Sequence, residues 1–368
     1  MKRFRQKSLL LASLILLIGC SESDPIRIGF IAGLEGRASD LGIASRNAVQ
    51  MAVDEANAAG GINGRKIELV IRDDKRSTEG GEEAARALVN EKVTAIIGPI
   101  LSVVARGVVP VINDAKVLTV SPTVIAEQFI GKDDYFFRLN SSSRQSAFDY
   151  AKAFYSAGYH NISVATDAHN AIFTTSWLKS FKAEFGALGG TVLFATPFDA
   201  ARKVGLKNTV LSLLEVKPEA ILVLANGIDT AQLAQQIRKH DDTIKLLATS
   251  WAVSDNLIIL GGRAVEGILL LDTFDRNDKR ARYAKFRDSL QKKFKVEPNQ
   301  ASVASYDAAT TLFAALQASS DNGIDLKSVL LRSAGYPGLQ QIIKFDAFGD
   351  SGRDSTVMLV RDGRFSRP

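Results

Sequence analysis

Cysteine is nearly missing: the 368 residues hold one, Cys20. A single thiol excludes an intrachain disulfide. A Cys-based structural zinc site is excluded too, because such sites need several sulfur or imidazole ligands. Histidine is almost as scarce. His160, His169 and His240 stand in no HExxH or comparable ligand spacing, and each reads as a surface residue. There is no GxSxG nucleophile elbow and no GxxxxGK[ST] phosphate loop. Beyond the first twenty residues no apolar run approaches the ~20 needed to span a bilayer. These absences leave no nucleophile or metal constellation on which to build an enzyme, and no cofactor is implied.

The lone cysteine has a setting of its own. Lys2, Arg3, Arg5 and Lys7 make a cationic start, Leu9 to Ile18 is apolar apart from Ser13, and Gly19-Cys20 follow. This is the layout of a secretory signal peptide over residues 1–19. Leu17-Ile18-Gly19-Cys20 resembles the lipobox of bacterial lipoproteins, which implies cleavage before Cys20 and lipidation of its sulfur. The plainer alternative is a signal peptide with an incidental cysteine. Removing four leader cations lowers the formal charge from +6 to +2, so no basic domain remains to argue for nucleic acid. Residues 20–25 then read as the lipidated cysteine and a short solvated tether. Ser21 leaves the choice between inner and outer membrane open.

The mature chain exceeds the usual size of one core and suggests two domains. Its first half alternates short apolar runs with helical periodicity. "IRIGFIAG" (26–33), "KIELVIR" (66–72), "VTAIIG" (93–98) and "VLTVS" (117–121) read as buried strands. Ala44, Ala48, Met51 and Ala52 recur at helical spacing between the first two, and Gly60-Gly61 end that helix. The pattern restarts after "DDYFFRLN" (133–140), with strands at 161–167, 189–196, 219–226, 244–250 and 266–274. Alternation of this kind predicts an α/β fold of two doubly wound parallel sheets. Gly29, Gly33 and Gly36 imitate a dinucleotide fingerprint, yet their spacing is not GxGxxG. Asp73 lies 37 residues beyond Gly36, too far for a ribose acid.

The segments "SDLGIASRNAVQMAVDEANAAGGINGRKIELVIRDD" (39–74), "VTAIIGPILSVVARGVVPVINDAKVLTVSPT" (93–123), "GGRAVEGILL" (261–270) and "SYDAATTLFAAL" (305–316) closely resemble the branched-chain-amino-acid type of periplasmic substrate-binding protein. The likeness runs in order along nearly the whole mature chain. It implies two α/β lobes joined by a three-strand hinge that close over a small ligand, and delivery of that ligand to an ABC permease with its ATPase. Lobe one is then expected over 24–141 plus 273–335, and lobe two over 142–272 plus 336–368.

Ligands of open α/β sheets bind outside the carboxyl ends of the strands. Ser102 stands where the third helix begins. Free N–H groups and the positive helix end favour an anion there, and Gly98-Pro99 lets the backbone turn toward that point. The resemblance implies that Ser102 and Thr123 grip a ligand carboxylate. A plain helix cap is the alternative for Ser102. In lobe two the family's stacking aromatic is replaced by Ala171-Ile172, which leaves Asn170, Phe173 and Thr174 as neighbours; Asn226 follows the next strand. Many amino-acid binders carry an acid after the strand "IKLLATS", where this chain has Trp251. Tryptophan offers stacking area or a cation–π face but no counter-charge. A carboxylate with an apolar or aromatic body suits Ser102, Thr123 and Trp251 as well as an amino acid does. Asp167 and Asp229 remain as negative groups. A sensing module that reports to a signalling partner is the alternative to transport, although no signalling domain is fused.

Overall fold

Apolar runs that end in glycine or in a polar pair become the strands, and alanine-rich stretches between them become helices. The computed structural model describes residues 24–36 and 39–368. The expected signal peptide and the expected lipidation of Cys20 therefore lie outside the described residues.

The first module comprises β1 (Ile26–Ala32), α1 (Asp40–Ala58), β2 (Ile67–Asp73), α2 (Thr78–Asn90), β3 (Ala95–Ile97), α3 (Ser102–Ala115), β4 (Thr119–Ser121) and β5 (Phe136–Arg138). Its strands are all parallel, in the order β2-β1-β3-β4-β5. The second module comprises α4 (Ser143–Ser156), β6 (Asn161–Asp167), α5 (Ala171–Ala187), β7 (Thr191–Phe198), α6 (Lys203–Glu215), β8 (Ala220–Leu224), α7 (Gly227–Arg238), β9 (Lys245–Ala248), α8 (Asp255–Gly261) and β10 (Leu269–Asp272). Its parallel strands run β7-β6-β8-β9-β10, the same order as in the first sheet. The α/β expectation of two parallel-sheet lobes holds.

The chain then returns to the first module. Helices α9 (Ala281–Phe294) and α10 (Gln300–Asn322) pack on the face that α1 covers, and α11 (Leu326–Arg332) follows. Asn299 starts α10 with a capping box: its side chain accepts from Ser302 N–H while the Ser302 hydroxyl accepts from Asn299 N–H. A small hairpin, β11 (Tyr336–Pro337) with β12 (Ile342–Ile343), leads to β13 (Thr356–Arg361) and β14 (Arg364–Ser366). The last two strands extend the second sheet: β13 runs antiparallel to β10, and β14 antiparallel to β13.

One expected boundary moves. The sequence reading places residues 336–368 wholly in lobe two. In the structure the stretch up to Asp350 packs on the first module. The Phe345 ring meets Phe137 edge-on at 5.1 Å, Leu339 N–H donates to Asp307 Oδ1 at 2.7 Å, and Asp350 pairs with the buried Arg138. These contacts keep the stretch up to Asp350 with the first module.

Apolar layers lie on both faces of each sheet. The face of the second sheet under α4 and α5 is aromatic. Trp177, Phe181 and Phe185 repeat every four residues on α5 and stack with centroids 5.0 Å apart, and Tyr150 and Phe154 on α4 meet them edge-on. Spacing of four keeps such rings on one side of a helix. Gly98 marks where the backbone leaves β3. Its φ is +114°, and a Cβ there would sit 2.3 Å from Ile31 O, so only glycine fits.

Candidate functional site

The two modules share a cavity at the carboxyl ends of their strands, where this strand order opens a crevice. The cavity is lined by residues of both modules and is open to solvent at its mouth. Ser102, Thr123, Asn170 and Trp251 all line it. Four of the five residues expected to contact ligand are thus brought together.

Ser102 is buried and begins α3. The residue before it, Leu101, occupies the cap position and supplies no side-chain cap. Neither the Ser102 hydroxyl nor its N–H has a partner among the described residues. Val103 N–H, next along the helix, donates to Asn170 Oδ1 at 3.2 Å. Thr123 donates its hydroxyl hydrogen to Ile100 O at 2.6 Å, which ties the loop after β4 to the loop after β3. Its N–H, like that of Ser102, has no partner among the described residues. Two backbone donors and one hydroxyl therefore remain unpaired on this wall, at the positive end of a 14-residue helix. That set of donors suits an anion.

The facing wall is apolar and aromatic. Trp251 meets Phe173 edge-on at 5.5 Å, and Trp177 reaches the cavity from the ring stack, donating through Nε1 to Ser146 Oγ at 3.1 Å. The Tyr150 hydroxyl donates to Leu271 O at 2.8 Å and accepts from Ser250 N–H. Full burial pushes its pKa above the usual phenol range. It fixes the loop carrying Trp251 against the end of β10.

Asn226 is not in this cavity. It caps α7, accepting from Asp229 N–H at 3.0 Å and donating to Asp229 Oδ2 at 2.7 Å. It lines a narrower cleft beside the cavity with Gly33, Arg76 and Leu101. Its side chain is committed to the helix start, which is why it does not reach the main cavity. Asp167, raised in pKa chiefly by burial, accepts from His169 N–H at 2.9 Å. It does not line the cavity either.

Sequence reasoning missed Asp149, Tyr150, Ser146, Ser141, Arg353 and Ser355, all of which line the cavity. A signal for three of them existed: Ser146, Asp149 and Tyr150 are spaced three and four apart, so they share a face of α4. Arg353 lies 204 residues after Asp149 in the chain, and no local pattern could place it. Among the described residues no group of three or more histidines, cysteines or acids could hold a metal, and no helix is long and apolar enough to cross a membrane.

With this geometry in hand, comparison with known proteins adds three findings. The sequence profile of the periplasmic binding protein family matches residues 25–364. Over 101 residues the chain is 40% identical to the Leu/Ile/Val-binding protein BraC3 of Rhizobium johnstonii, a stretch covering 27% of this chain and 28% of that one. Over nearly full length it is 24% identical to Leu/Ile/Val-binding protein homolog 2 of Brucella abortus, covering 97% of this chain and 96% of that one. Among solved structures, an R. palustris ABC transporter solute-binding protein in complex with 4-hydroxybenzoate superposes with a TM-score of 0.82. It is 19% identical, and the match covers 94% of this chain and 96% of that one.

Proposed function

This chain belongs to the periplasmic binding protein family, and on that premise we propose that it is the extracytoplasmic substrate-binding component of an ABC importer. Its ligand is a small carboxylate, an amino acid or an aromatic acid, held between the two lobes. One observation carries the reading: the unpaired Ser102 and Thr123 donors and the Trp251–Phe173 aromatic wall face one cavity at the strand ends. Relatives described as binding leucine, isoleucine or valine and a structural neighbour holding 4-hydroxybenzoate support both ligand classes. The relatives are binding proteins, and no catalytic step is assigned.

In this reading the first lobe comprises residues 24–141 and 273–350, and the second 142–272 and 351–368. Closure follows from the ligand's higher affinity for the shut arrangement. Lipid on Cys20 keeps the receptor beside its permease and ATPase. Replacing Cys20 with serine would release the protein from membranes and abolish labelling by a fatty-acid probe. A fractionation pattern that Cys20→Ser leaves unchanged defeats the anchor.

A thermal-shift screen with amino acids, aromatic acids and short aliphatic acids tests the ligand class. A ligand at one hundred times its dissociation constant adds about 2.7 kcal/mol of stability. If no carboxylate in the three classes raises the melting temperature, the function proposed here is wrong.

A further inference from the structure

The unpaired donors account for one end of the cavity; a carboxylate stands at the other. Two neighbouring clefts establish the order of the walls. The narrow cleft shares Leu41, Ile100, Leu101 and Trp251 with the cavity. A wider cleft on the hinge side shares Ser141, Asp149, Arg353 and Ser355 with it. These sets have no member in common, so they mark different ends. Ser102 directly follows Leu101 at the first end, and Asp149 belongs to the second.

The charges around Asp149 do not cancel it. The buried Arg353 guanidinium also lines the cavity; its Nη2 pairs with Asp307 at 2.7 Å, and its Nε has no partner among the described residues. Lys152, exposed one turn further along α4, and Asp354 act on Asp149 in opposite directions. Asp149 Oδ1 accepts from Gln145 Nε2 at 3.0 Å, and Oδ2 has only a long contact from Ser355 Oγ at 3.4 Å. A carboxylate has about four lone-pair sites, so acceptor capacity remains. Partial burial raises its pKa above the usual carboxylate range, as expected of an acid short of donors.

We propose that Asp149 is a specificity-determining residue, selecting ligands in which an apolar body separates the carboxylate from a hydroxyl or ammonium group, and that it receives this distal donor. The inference rests on the carboxylate-binding reading above and narrows it. An α-amino acid with an apolar side chain places both of its charges at one end and cannot serve Ser102 and Asp149 together. A bare acid of the same shape covers Asp149 without giving it a partner. Sites that hydrogen-bond a ligand group discriminate strongly against the analogue lacking it.

Calorimetric titration of wild type, Asp149→Leu and Asp149→Asn with two matched pairs provides the test: benzoate against 4-hydroxybenzoate, and hexanoate against 6-aminohexanoate. Wild type is expected to prefer the substituted member of at least one pair by tenfold or more. In Asp149→Leu that ratio is expected to fall to within about threefold of unity. Asp149→Asn, which keeps an acceptor oxygen but no charge, retains more of the hydroxyl preference than of the ammonium preference. Should the leucine variant bind neither member, the ratio in the asparagine variant decides. Wild-type affinities within threefold across both pairs, or a preference that persists in Asp149→Leu, overturn the inference and leave the proposed function standing. So does binding of leucine, isoleucine or valine alone. If no acid of any kind binds, both fall.

Discussion

The two walls of the cavity are made of different material. On the first lobe the ligand would meet backbone: N–H groups at the start of α3 and after β4, framed by Ile100 and Leu101. On the second it would meet side chains: Trp251, Phe173, Trp177 and Asp149. Backbone donors at a helix start are set by the fold and vary little with sequence. Side chains on helices and loops can be exchanged one at a time. The same strand order in both sheets thus supports a generic anion seat on one side and a ligand-specific surface on the other.

The comparison breaks most visibly if the aromatic wall is not also core. Trp177 is fully buried and stacked on Phe181, so Trp177→Ala should lower the unfolding free energy by about 3–5 kcal/mol. Urea denaturation would read it, and a loss below 1 kcal/mol would mean that the ring stack does not hold the second lobe.

A second contrast is electrostatic. Burial pushes Asp74, just after β2 in the first lobe, up to about 7. Its folded pKa lies above the unfolded value of 3.8, so the folded state holds the proton more tightly. The contribution of Asp74 to stability is then greatest below pH 4, falls as pH rises from about 4 to 7, and levels off above that. The full difference is up to about 4 kcal/mol. Asp74→Asn should flatten this slope and stabilise the protein at pH 7.5. Parallel wild-type and variant melting curves across pH 4–8 would contradict it.

Ser102→Ala sharpens the contrast on the binding side. Losing a hydrogen bond to a charged ligand costs about 1.5–3 kcal/mol, so affinity for a carboxylate should fall tenfold or more. The ligand-free melting temperature should hardly move, because the hydroxyl has no partner among the described residues. Equal calorimetric affinities would remove the serine from the anion seat. The smallest effect belongs to Asn170→Ala, which deletes one bond between the lobes, worth about 0.5–1.5 kcal/mol. Small-angle scattering should then record a larger mean radius of gyration in the ligand-free variant; an unchanged radius would show that this bond does not bias closure.

The architecture was legible because several central strands are apolar runs ending in glycine or a polar pair, and helices such as α1 repeat small apolar residues at spacings of three and four. The place of Ser102 on the cavity wall was legible too, since it follows β3 by a short turn. The second wall was only half readable. Trp251 directly follows a strand and was found. Asn226 occupies an equivalent place, but Asp229 lies three residues on and draws its side chain into a cap. Asp149 and Arg353 meet at the cavity through two separate crossings, and sequence proximity carries no trace of that. The shifted boundary near Asp350 has a similar origin, since it depends on the ion pair with Arg138 across 212 residues.

Asn170 reaches across to Val103, Asn256 to Asp40 at 3.2 Å, and Ser176 to Glu127 N–H at 3.4 Å. If the lobes close as proposed, each of these bonds would lower the free energy of the shut form whatever the cavity contains. The ligand would then supply only part of the bias toward closure, and the contrast between loaded and unloaded receptor would narrow by the same amount. For an importer that reads shape, such a receptor trades signal-to-background for speed of capture. Loosening these three links would make the pore a stricter judge of cargo.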